Sequence, residues 1–328
     1  KRLFKIEPGD LVLSNVFGWE GAIAVSSAED AGRFGSHRFI TCVVDSTRAC
    51  AEYLKFYLTA SEEGKEQVRR ASPGGAGRNR TLGVEKLGHI EIPLPPIETQ
   101  RTVIARIDTL TKKTQQVEAH LDAVERDAEH LLALRFRDAI AEAPLRLMAK
   151  VAPLVRRAVT IDSEQNYTEL GVRSFYRGTF QRRTIPGTDF SWQDLYRVQA
   201  GDLIFSNIMA WEQAIAIAKP EDEGCVGNHR MLTCEANATT AVASFLWYYF
   251  TTEEGFGKIY AASPGTAARN RTITAPALMA IDVPAPPLPT QQSFDRLQAE
   301  VAALKAKHTA IRQANAALLP ATLERVFS

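Results

Sequence analysis

The sequence predicts an α+β fold made of two tandem, related α+β globules, each followed by a long helix. Three observations support this prediction. A segment of about 34 residues occurs twice in similar form. Short apolar runs in each copy are bounded by Gly, Asp and Ser, which is typical of strands. Apolar residues at heptad spacing follow each copy, and at 328 residues the chain is long enough for about two domains.

The repeat covers a whole domain. Residues 9–42, "GDLVLSNVFGWEGAIAVSSAEDAGRFGSHRFITC", align without a gap with residues 201–234, "GDLIFSNIMAWEQAIAIAKPEDEGCVGNHRMLTC", and about half of the positions are identical. The phrase "ASPGGAGRNRT" at 71–81 returns as "ASPGTAARNRT" at 262–272. Because solenoid repeats are only ~20–50 residues long, this period indicates a duplicated domain with a connector.

Each copy combines strands with a helical segment. The runs "DLVLSN", "AIAVS" and "RFITCVV" predict strands in the first copy. Residues 51–70 and 243–261 predict helices, and each leads into the repeated Ser-Pro-Gly loop. Each copy is therefore predicted to be a small α+β globule.

A long helix is predicted after each globule. The proline-rich joints "IPLPPIETQ" (92–100) and "VPAPPLPTQ" (283–291) are followed by apolar residues spaced by three and four over about four heptads, a coiled-coil pattern. The first series is Val103, Ile107, Leu110, Thr114, Val117, Leu121, Val124, Ala128 and Leu131. The second is Phe294, Leu297, Val301, Leu304, His308, Ile311, Asn315 and Leu318. We expect the two helices to pair, with the polar His308 and Asn315 setting their register.

Overall charge does not identify a partner. With 39 Lys and Arg against 38 Asp and Glu, the formal net charge is +1, which neither indicates nor excludes nucleic acid. Residues 146–183 are locally basic, with an excess of about five positive charges. The basic residues there are Arg146, Lys150, Arg156, Arg157, Arg173, Arg177, Arg182 and Arg183, and the acidic ones are Asp162, Glu164 and Glu169.

Other composition signals are negative. The four cysteines lack CxxC or zinc-finger spacing, so we expect buried thiols, with no metal site and no disulfide framework. No apolar run reaches the ~18 residues that span a bilayer, and the opening residues do not resemble a signal peptide, so we expect a cytoplasmic protein.

These phrases and their order resemble the specificity (S) subunits of Type I restriction–modification systems. The resemblance rests on "YTELGVRSFYRGTF" (167–180), "GDLIFSNIMAWEQAIAI" (201–217), the Ser-Pro-Gly loop, and "PLPPIETQRTVIARID" with its echo "PAPPLPTQQSFDRLQA". It implies two target-recognition domains, each followed by a long helix, with the helices pairing as an antiparallel coiled coil. The implied domains are 1–98, a spacer helix 99–143, 144–289, and a C-terminal helix 290–328.

The first domain departs from this pattern. Residues 145–192 precede the second copy of the repeat, whereas residue 1 aligns near residue 193, so the first copy has no counterpart to them. We therefore expect the first target-recognition domain to be incomplete at its start.

The resemblance implies a subunit without its own chemistry. Such a subunit reads a bipartite site in double-stranded DNA, with one half-site for each globule. It directs two methyltransferase (M) subunits and the restriction (R) motor–nuclease subunits to that site. The M subunits bring S-adenosylmethionine and methylate an adenine, and this chain holds no cofactor. The sequence lacks an Asn/Asp-Pro-Pro-Tyr motif, a GxxxxGK[ST] phosphate loop and a GxSxG nucleophile elbow.

Basic and aromatic residues are the DNA-binding candidates. The "GVRSFYRGTFQRR" stretch supplies one set, which is Arg173, Tyr176, Arg177, Arg182 and Arg183. The repeated loop supplies a second set, which is Arg78, Arg80, Arg269 and Arg271. Because "RNRT" is identical in both copies, we expect phosphate contacts there instead of base readout. The alternative is that these arginines bind carboxylates or helix C-termini within the fold.

Other repeated residues have more ordinary interpretations. We expect structural hydrogen bonds for the His-Arg pairs at 37–38 and 229–230, core packing for Trp19 and Trp211, and a solvated turn for Glu221-Asp222.

Two alternative functions stay open. One is a specificity subunit that serves a fused nuclease–methyltransferase, and the other is a two-headed scaffold that binds proteins.

Overall fold

A computed structural model describes residues 3–75, 80–190, 194–265 and 270–327. The chain forms two compact units: unit 1 contains residues 1–125 and 305–328, and unit 2 contains residues 126–304. This division passes through both long helices, so each unit contains a part of both. The predicted domain boundaries concern recognition domains and not packing units, and they stay predictions.

Unit 1 is built around a three-stranded antiparallel sheet in the order β3-β2-β5, with a separate β1-β4 pair. In the central strand, Leu11 lies opposite Val25 and Cys42. The elements, numbered in chain order, are β1 (Leu3–Lys5), β2 (Leu11–Ser14), β3 (Ile23–Val25), β4 (Phe34–Ser36), β5 (Phe39–Cys42), α1 (Ala51–Ala60), α2 (Glu62–Arg70), α3 (Val84–Leu87) and α4 (Ile97–Ile140).

Unit 2 contains the same three-stranded sheet, in the order β11-β10-β13, and additional strands. Its elements are β6 (Leu145–Leu147), α5 (Met148–Val151), β7 (Asn166–Val172), β8 (Thr179–Pro186), β9 (Tyr196–Arg197), β10 (Leu203–Ser206), β11 (Ile215–Ile217), β12 (Val226–Gly227), β13 (Met231–Cys234), α6 (Ala243–Thr251), α7 (Glu253–Ala261), α8 (Ala275–Met279), β14 (Asp282–Pro284) and α9 (Leu288–Phe327). A four-stranded sheet has the order β8-β7-β12-β9, in which β7 and β12 are parallel. β6 pairs with β14.

The helical segment of each repeat is two helices and not one. Ser61 caps α2 by accepting a hydrogen bond from the Gly64 amide at 2.9 Å, and Thr252 caps α7 by accepting one from the Gly255 amide at 3.2 Å. A side chain at either glycine would collide with a carbonyl oxygen, because a Cβ would lie 2.2 Å from that of Tyr57 or 2.1 Å from that of Tyr249. Glycine is therefore required at the same turn in both copies.

The helices α4 and α9 pack together and are antiparallel. Within unit 1, His308 contacts Glu125 and Asn315 contacts Thr114, so residue numbers rise along α9 as they fall along α4. The predicted fold class, two related α+β globules with a pair of long helices, is confirmed.

The buried stripe of each helix is narrower than predicted. On α9 the buried positions recur every seventh residue, at Phe294, Val301, His308 and Asn315, whereas Ile311 and Leu318 are exposed. On α4, Leu131 belongs to the apolar series that was predicted to face the other helix, but it is exposed, and Leu132 and Phe136 are buried instead. A helix with 3.6 residues per turn drifts relative to a 3.5-residue pattern, so the buried face shifts along α4.

Each unit has its own core. In unit 1 the strand residues Leu11 and Leu13 pack with Tyr57, Val68 and Ile107. In unit 2 the packing is more aromatic, and the fully buried side chains there include Phe205, Phe245, Tyr249 and Phe250.

The helix pair of unit 2 is fixed by aromatic rings. The Phe136 ring of α4 lies 4.9 Å from Phe245, 4.8 Å from Tyr248 and 5.1 Å from Phe294, measured between centroids. We call these four residues the aromatic cluster.

Candidate nucleic-acid interface

The basic residues of β8 project from the β7–β8 hairpin. Residues 181–184 of β8 are exposed, and the pairing of β7 and β8 shifts between Thr168 and Leu170. Glu169 sits at this irregularity and forms an ion pair with Arg183, at 3.2 Å between Nε and Oε2. Arg182 is exposed and forms no ion pair with a described residue. Of the two neighbouring arginines, Arg182 is therefore the freer cation.

Arg182 faces a groove that contains a second arginine. The groove has a volume of about 320 Å³, and its lining includes Gly171, Arg182, Asn228 and Arg230. Arg230 also lines an adjoining cavity of about 760 Å³, together with Trp211 and other residues of the repeat. Two guanidinium groups on one open groove can contact phosphates, because Arg donates several hydrogen bonds in a planar arrangement.

The prediction for the His-Arg pair at 229–230 is wrong for the side chains. Neither His229 nor Arg230 hydrogen-bonds through its side chain to a residue that the structure describes, and both are exposed. The main chain has the structural role instead, since the His229 carbonyl accepts a hydrogen bond from Arg156 at 3.2 Å. Sequence pattern gave no signal for the groove, because Arg182 and Arg230 meet only in the folded unit.

Trp211 was predicted to pack in the core. It is half-buried, lines the cavity beside Arg230, and donates its indole N–H to the Ile208 carbonyl at 2.9 Å. Its counterpart Trp19 packs against the core of unit 1 and has Arg80 over its ring at 5.4 Å. The same tryptophan therefore has different surroundings in the two units.

The loop between β7 and β8 is held against the repeat. Phe175 and Tyr176 have positive φ angles of 60° and 53°, and their amides donate to the carbonyls of Glu212 and Gln213. The Tyr176 hydroxyl donates to the Phe250 carbonyl at 2.7 Å, and burial raises the pKa of this hydroxyl above its usual value. Tyr176 is thus engaged inside unit 2, and its contact with DNA stays a prediction.

The two arginines of this loop are exposed but are stacked on aromatic rings. Arg173 lies 4.7 Å from the centroid of Phe180 and donates to the Thr179 carbonyl at 2.6 Å. Arg177 lies 5.5 Å from the centroid of Phe175. Stacking orients both guanidinium groups and leaves further N–H donors for a ligand.

Arg271 binds a group within the fold, as in the alternative interpretation of the loop arginines. Its guanidinium donates to the Ser263 carbonyl at 3.0 Å, just beyond the C-terminus of α7, and lies 4.0 Å from the centroid of Tyr260. Arg78 and Arg269 lie outside the described residues. Phosphate contact by the loop arginines stays a prediction.

Part of the basic stretch 146–183 is internal. Arg157 makes two hydrogen bonds to Asp202, at 2.7 and 3.0 Å, and one to Glu235 at 2.8 Å. Asp202 is only 3% exposed, so Arg157 compensates a buried carboxylate. Arg156 donates to the Met231 carbonyl at 2.8 Å. The outward positive charge is therefore smaller than the count of residues indicated.

Asp222 is also buried and not solvated as predicted. Its carboxylate accepts hydrogen bonds from the Thr179 hydroxyl at 2.5 Å and from the Lys219 amide at 2.9 Å.

A polar network joins the helices within unit 1. His308 bonds to Glu125 at 2.9 Å, Arg312 to Glu118 at 2.5 Å and to Asp122 at 2.8 Å, and Asn315 to Glu118 at 2.8 Å. His308 and Asn315 are buried, at 6% and 8% exposure. The hydrogen bond from His308 lowers the pKa of Glu125 below its usual value. We call these residues the polar cluster.

The described residues contain no group of three or more His, Cys, Asp or Glu side chains that could hold a metal ion. Cys225 and Cys234 are buried, and burial raises the pKa of the Cys234 thiol to about 12. Cys42 and Cys50 are half-buried free thiols. None of the described helices is long and apolar enough to cross a membrane.

Two solved structures resemble the chain along almost its whole length. The HsdS subunit from Thermoanaerobacter tengcongensis matches with a TM-score of 0.64 and 18% sequence identity, covering 98% of this chain and 81% of that one. A chain from a structure on complex assembly and conformational transition of the type I R-M system matches with a TM-score of 0.64 and 19% identity, covering 98% and 82%. No protein-family profile and no curated protein sequence matches. The chain has the fold of HsdS, the specificity subunit of Type I restriction–modification systems.

Proposed function

We propose that this chain is the non-catalytic, DNA sequence-recognition subunit of a Type I restriction–modification complex. The observation that carries the proposal is the likeness of fold to HsdS along 98% of the chain. The internal duplication supports it, because two related units suit a bipartite target with one half-site for each unit.

In unit 2, we assign DNA contact to the hairpin and the groove beside it. Arg182 and Arg230 line that groove, and Arg173 and Arg177 are exposed on the neighbouring loop. Phosphate contacts of this kind position a protein on the duplex, whereas base edges in the grooves of DNA specify sequence. Bases would be read by residues that are not shared between the two repeats.

The helix pair sets the number of unread base pairs between the half-sites. We expect that inserting or deleting one heptad within residues 101–140 changes this spacing, because a heptad adds ~10 Å of helix. The polar cluster fixes the register that this spacing requires. A spacing that stays constant in an active heptad variant would contradict this role.

The chemistry belongs to partners. We assign two M subunits, which bind S-adenosylmethionine and methylate an adenine after flipping it out of the duplex, and R subunits for restriction. One of the similar structures concerns assembly of such a complex. The complex would act on double-stranded DNA in the cytoplasm.

Binding to duplex DNA at increasing salt tests this proposal. With its M subunit present, the chain should bind with a log–log salt slope of about −0.9 for each phosphate neutralised. A protein-binding scaffold would show no DNA binding above that of the M subunit alone. The gene encoding the partner then separates a three-subunit system from a fused nuclease–methyltransferase.

A further inference from the structure

Each long helix carries a buried glutamine close to its start. Gln100 is the fourth residue of α4, and Gln291 is the fourth residue of α9. The two residues align in the repeat, at the ends of the phrases "PPIETQ" and "PPLPTQ". They are only 0% and 1% exposed. A buried amide costs free energy unless its polar atoms are hydrogen-bonded, so the partners of these side chains are informative.

In unit 2, Gln291 bonds α9 to the globule, which is the part of the unit outside the long helices. Its Oε1 accepts a hydrogen bond from the Val242 amide at 2.9 Å, directly before α6. Its Nε2 donates to the Thr240 carbonyl at 2.9 Å, in the same segment, and to the Pro286 carbonyl at 2.8 Å, in the proline-rich joint. One side chain therefore holds the globule, the joint and the start of α9 together.

Unit 1 contains the same arrangement. The Gln100 Oε1 accepts a hydrogen bond from the Cys50 amide at 2.9 Å, directly before α1. Its Nε2 donates to the Arg48 carbonyl at 3.0 Å and to the Pro95 carbonyl at 2.8 Å. All three partners align with the partners of Gln291. We call each glutamine with its three main-chain partners a glutamine clamp.

The partners in each clamp are main-chain atoms, so the clamp tolerates changes in the neighbouring side chains. Arg48 in one clamp aligns with Thr240 in the other. A second contact at the start of the helix is not shared between the units. Ser244 of α6 donates a hydrogen bond to Asp295 of α9, whereas Ile104 stands at the position of Asp295 in unit 1. The glutamine clamp is thus a polar contact between helix and globule that both units have.

The clamp also supplies a hydrogen bond at the start of a helix in the globule. In a capping box, a side chain of the same helix accepts a hydrogen bond from the amide of the cap residue. Cys50 and Val242 are the cap residues of α1 and α6, and neither side chain makes a capping hydrogen bond. Their amides bond instead to the glutamines of α4 and α9. One group therefore stabilises the start of the globule's helix together with the start of the long helix.

We propose that Gln100 and Gln291 are positioning residues, each of which holds a long helix at one angle to the globule of its own unit. Apolar contacts between a helix and a globule allow small rotations, whereas three directional hydrogen bonds from one buried side chain are satisfied in a single geometry. Removing the amide group leaves two carbonyls and one N–H without this partner, so the start of the helix becomes a hinge.

The inference deepens the proposed function and rests on it in one respect. If the helix pair sets the number of unread base pairs, the clamps set how strictly that number is kept. A helix that rotates against its globule lets the residues assigned to DNA contact move relative to that helix. The angle itself does not depend on DNA, so it is measured without DNA.

The test compares two neighbouring glutamines of α9. Gln291→Leu removes the clamp, whereas Gln292→Leu changes an exposed side chain of the same helix. Spin labels at residues 221 and 303, both exposed in unit 2, report the distance between globule and helix. They are attached through unnatural amino acids, because the chain has free cysteines. Gln291→Leu should widen the distance distribution about twofold, and Gln292→Leu should leave it unchanged.

A second pair of labels tests the other clamp and keeps the proposal falsifiable if Gln291→Leu does not fold. Residues 29 and 112 of unit 1 align with residues 221 and 303. Gln100→Leu should widen the distribution between them in the same way. A distribution as narrow as that of the parent chain, in either folded variant, would overturn the proposal.

Methylation mapping with the M subunit tests the link to DNA separately. Gln291→Leu should keep the two half-sites of the parent chain and extend methylation to slightly longer and shorter spacings. A wider distance distribution with unchanged spacing would overturn the role in spacing. If the parent chain directs no sequence-specific methylation, the proposed function is contradicted, whereas the label distances still decide the positioning role.

Discussion

The helix pair is held differently in the two units. In unit 2, the Phe136 ring packs against three other aromatic rings at centroid distances of 4.8 to 5.1 Å. In unit 1, the polar cluster contains two buried side chains, His308, which bonds to Glu125, and Asn315, which bonds to Glu118. Aromatic packing contributes stability without specifying a single register, whereas buried polar groups are satisfied in one register only. The part of the helix pair in unit 2 thus contributes mainly stability, and the part in unit 1 specifies register.

The largest predicted loss of stability comes from disrupting the aromatic cluster. Phe136→Ala should lower the free energy of unfolding of unit 2 by about 4 kcal/mol, because the ring is buried and its removal leaves a cavity. Urea unfolding followed by hydrogen exchange in unit 2 measures this. Leu131→Ala, on an exposed position of the same helix, should cost less than about 1 kcal/mol. Equal losses of unfolding free energy for the two variants would show that the aromatic cluster does not stabilise the helix pair.

The second largest expected loss of stability comes from breaking the ion pair between Arg157 and the buried Asp202 in unit 2. Arg157→Met should cost about 3 kcal/mol, since it leaves Asp202 buried without a cation. The matched variant Arg183→Met removes an exposed ion pair and should cost less than about 0.5 kcal/mol. Thermal unfolding of both proteins provides the comparison. A loss for Arg157→Met as small as that of its control would mean that water compensates Asp202.

A substitution in the polar cluster is expected to raise stability, by a smaller amount than the losses above. Asn315→Leu should stabilise the helix pair by about 1 kcal/mol, because a buried polar group at a core position costs stability. It should also loosen register, which would broaden the distance distribution between spin labels at residues 112 and 316. Thr309→Leu, on the exposed face, is the control. A distribution as narrow as in the original chain would assign register to other contacts.

The smallest effect concerns DNA. Arg182→Gln should weaken binding of the complex to duplex DNA by about fivefold, equally for all sequences, and should reduce the salt slope by about one. Arg183→Gln should have less effect, because Arg183 is already paired with Glu169. A change in the preferred base sequence would instead make Arg182 a base-reading residue.

The sequence was sufficient to predict the parts that rest on local pattern. The repeat, the strands and the long helices follow from spacing, and the register role of His308 and Asn315 agrees with their buried contacts. The helix breaks at Ser61 and Thr252 were missed, although a cap residue followed three positions later by glycine was a readable signal. A Ser or Thr before an acidic first turn can cap a helix.

Long-range partners could not be predicted. Arg157 was counted as surface charge because its partners Asp202 and Glu235 are distant in sequence. The groove at Arg182 and Arg230 likewise joins residues from separate elements. Such pairings depend on which strands are neighbours, and no single-sequence pattern records that.

Methylation mapping measures whether this chain confers DNA specificity. The chain is expressed with the methyltransferase encoded beside it in a host without DNA methylation, and N6-methyladenine is mapped with and without the chain. We expect a sequence-specific methylation pattern that appears only when the chain is present, and whose half-site spacing changes in the heptad variants. An identical pattern with and without the chain would contradict a role in DNA specificity.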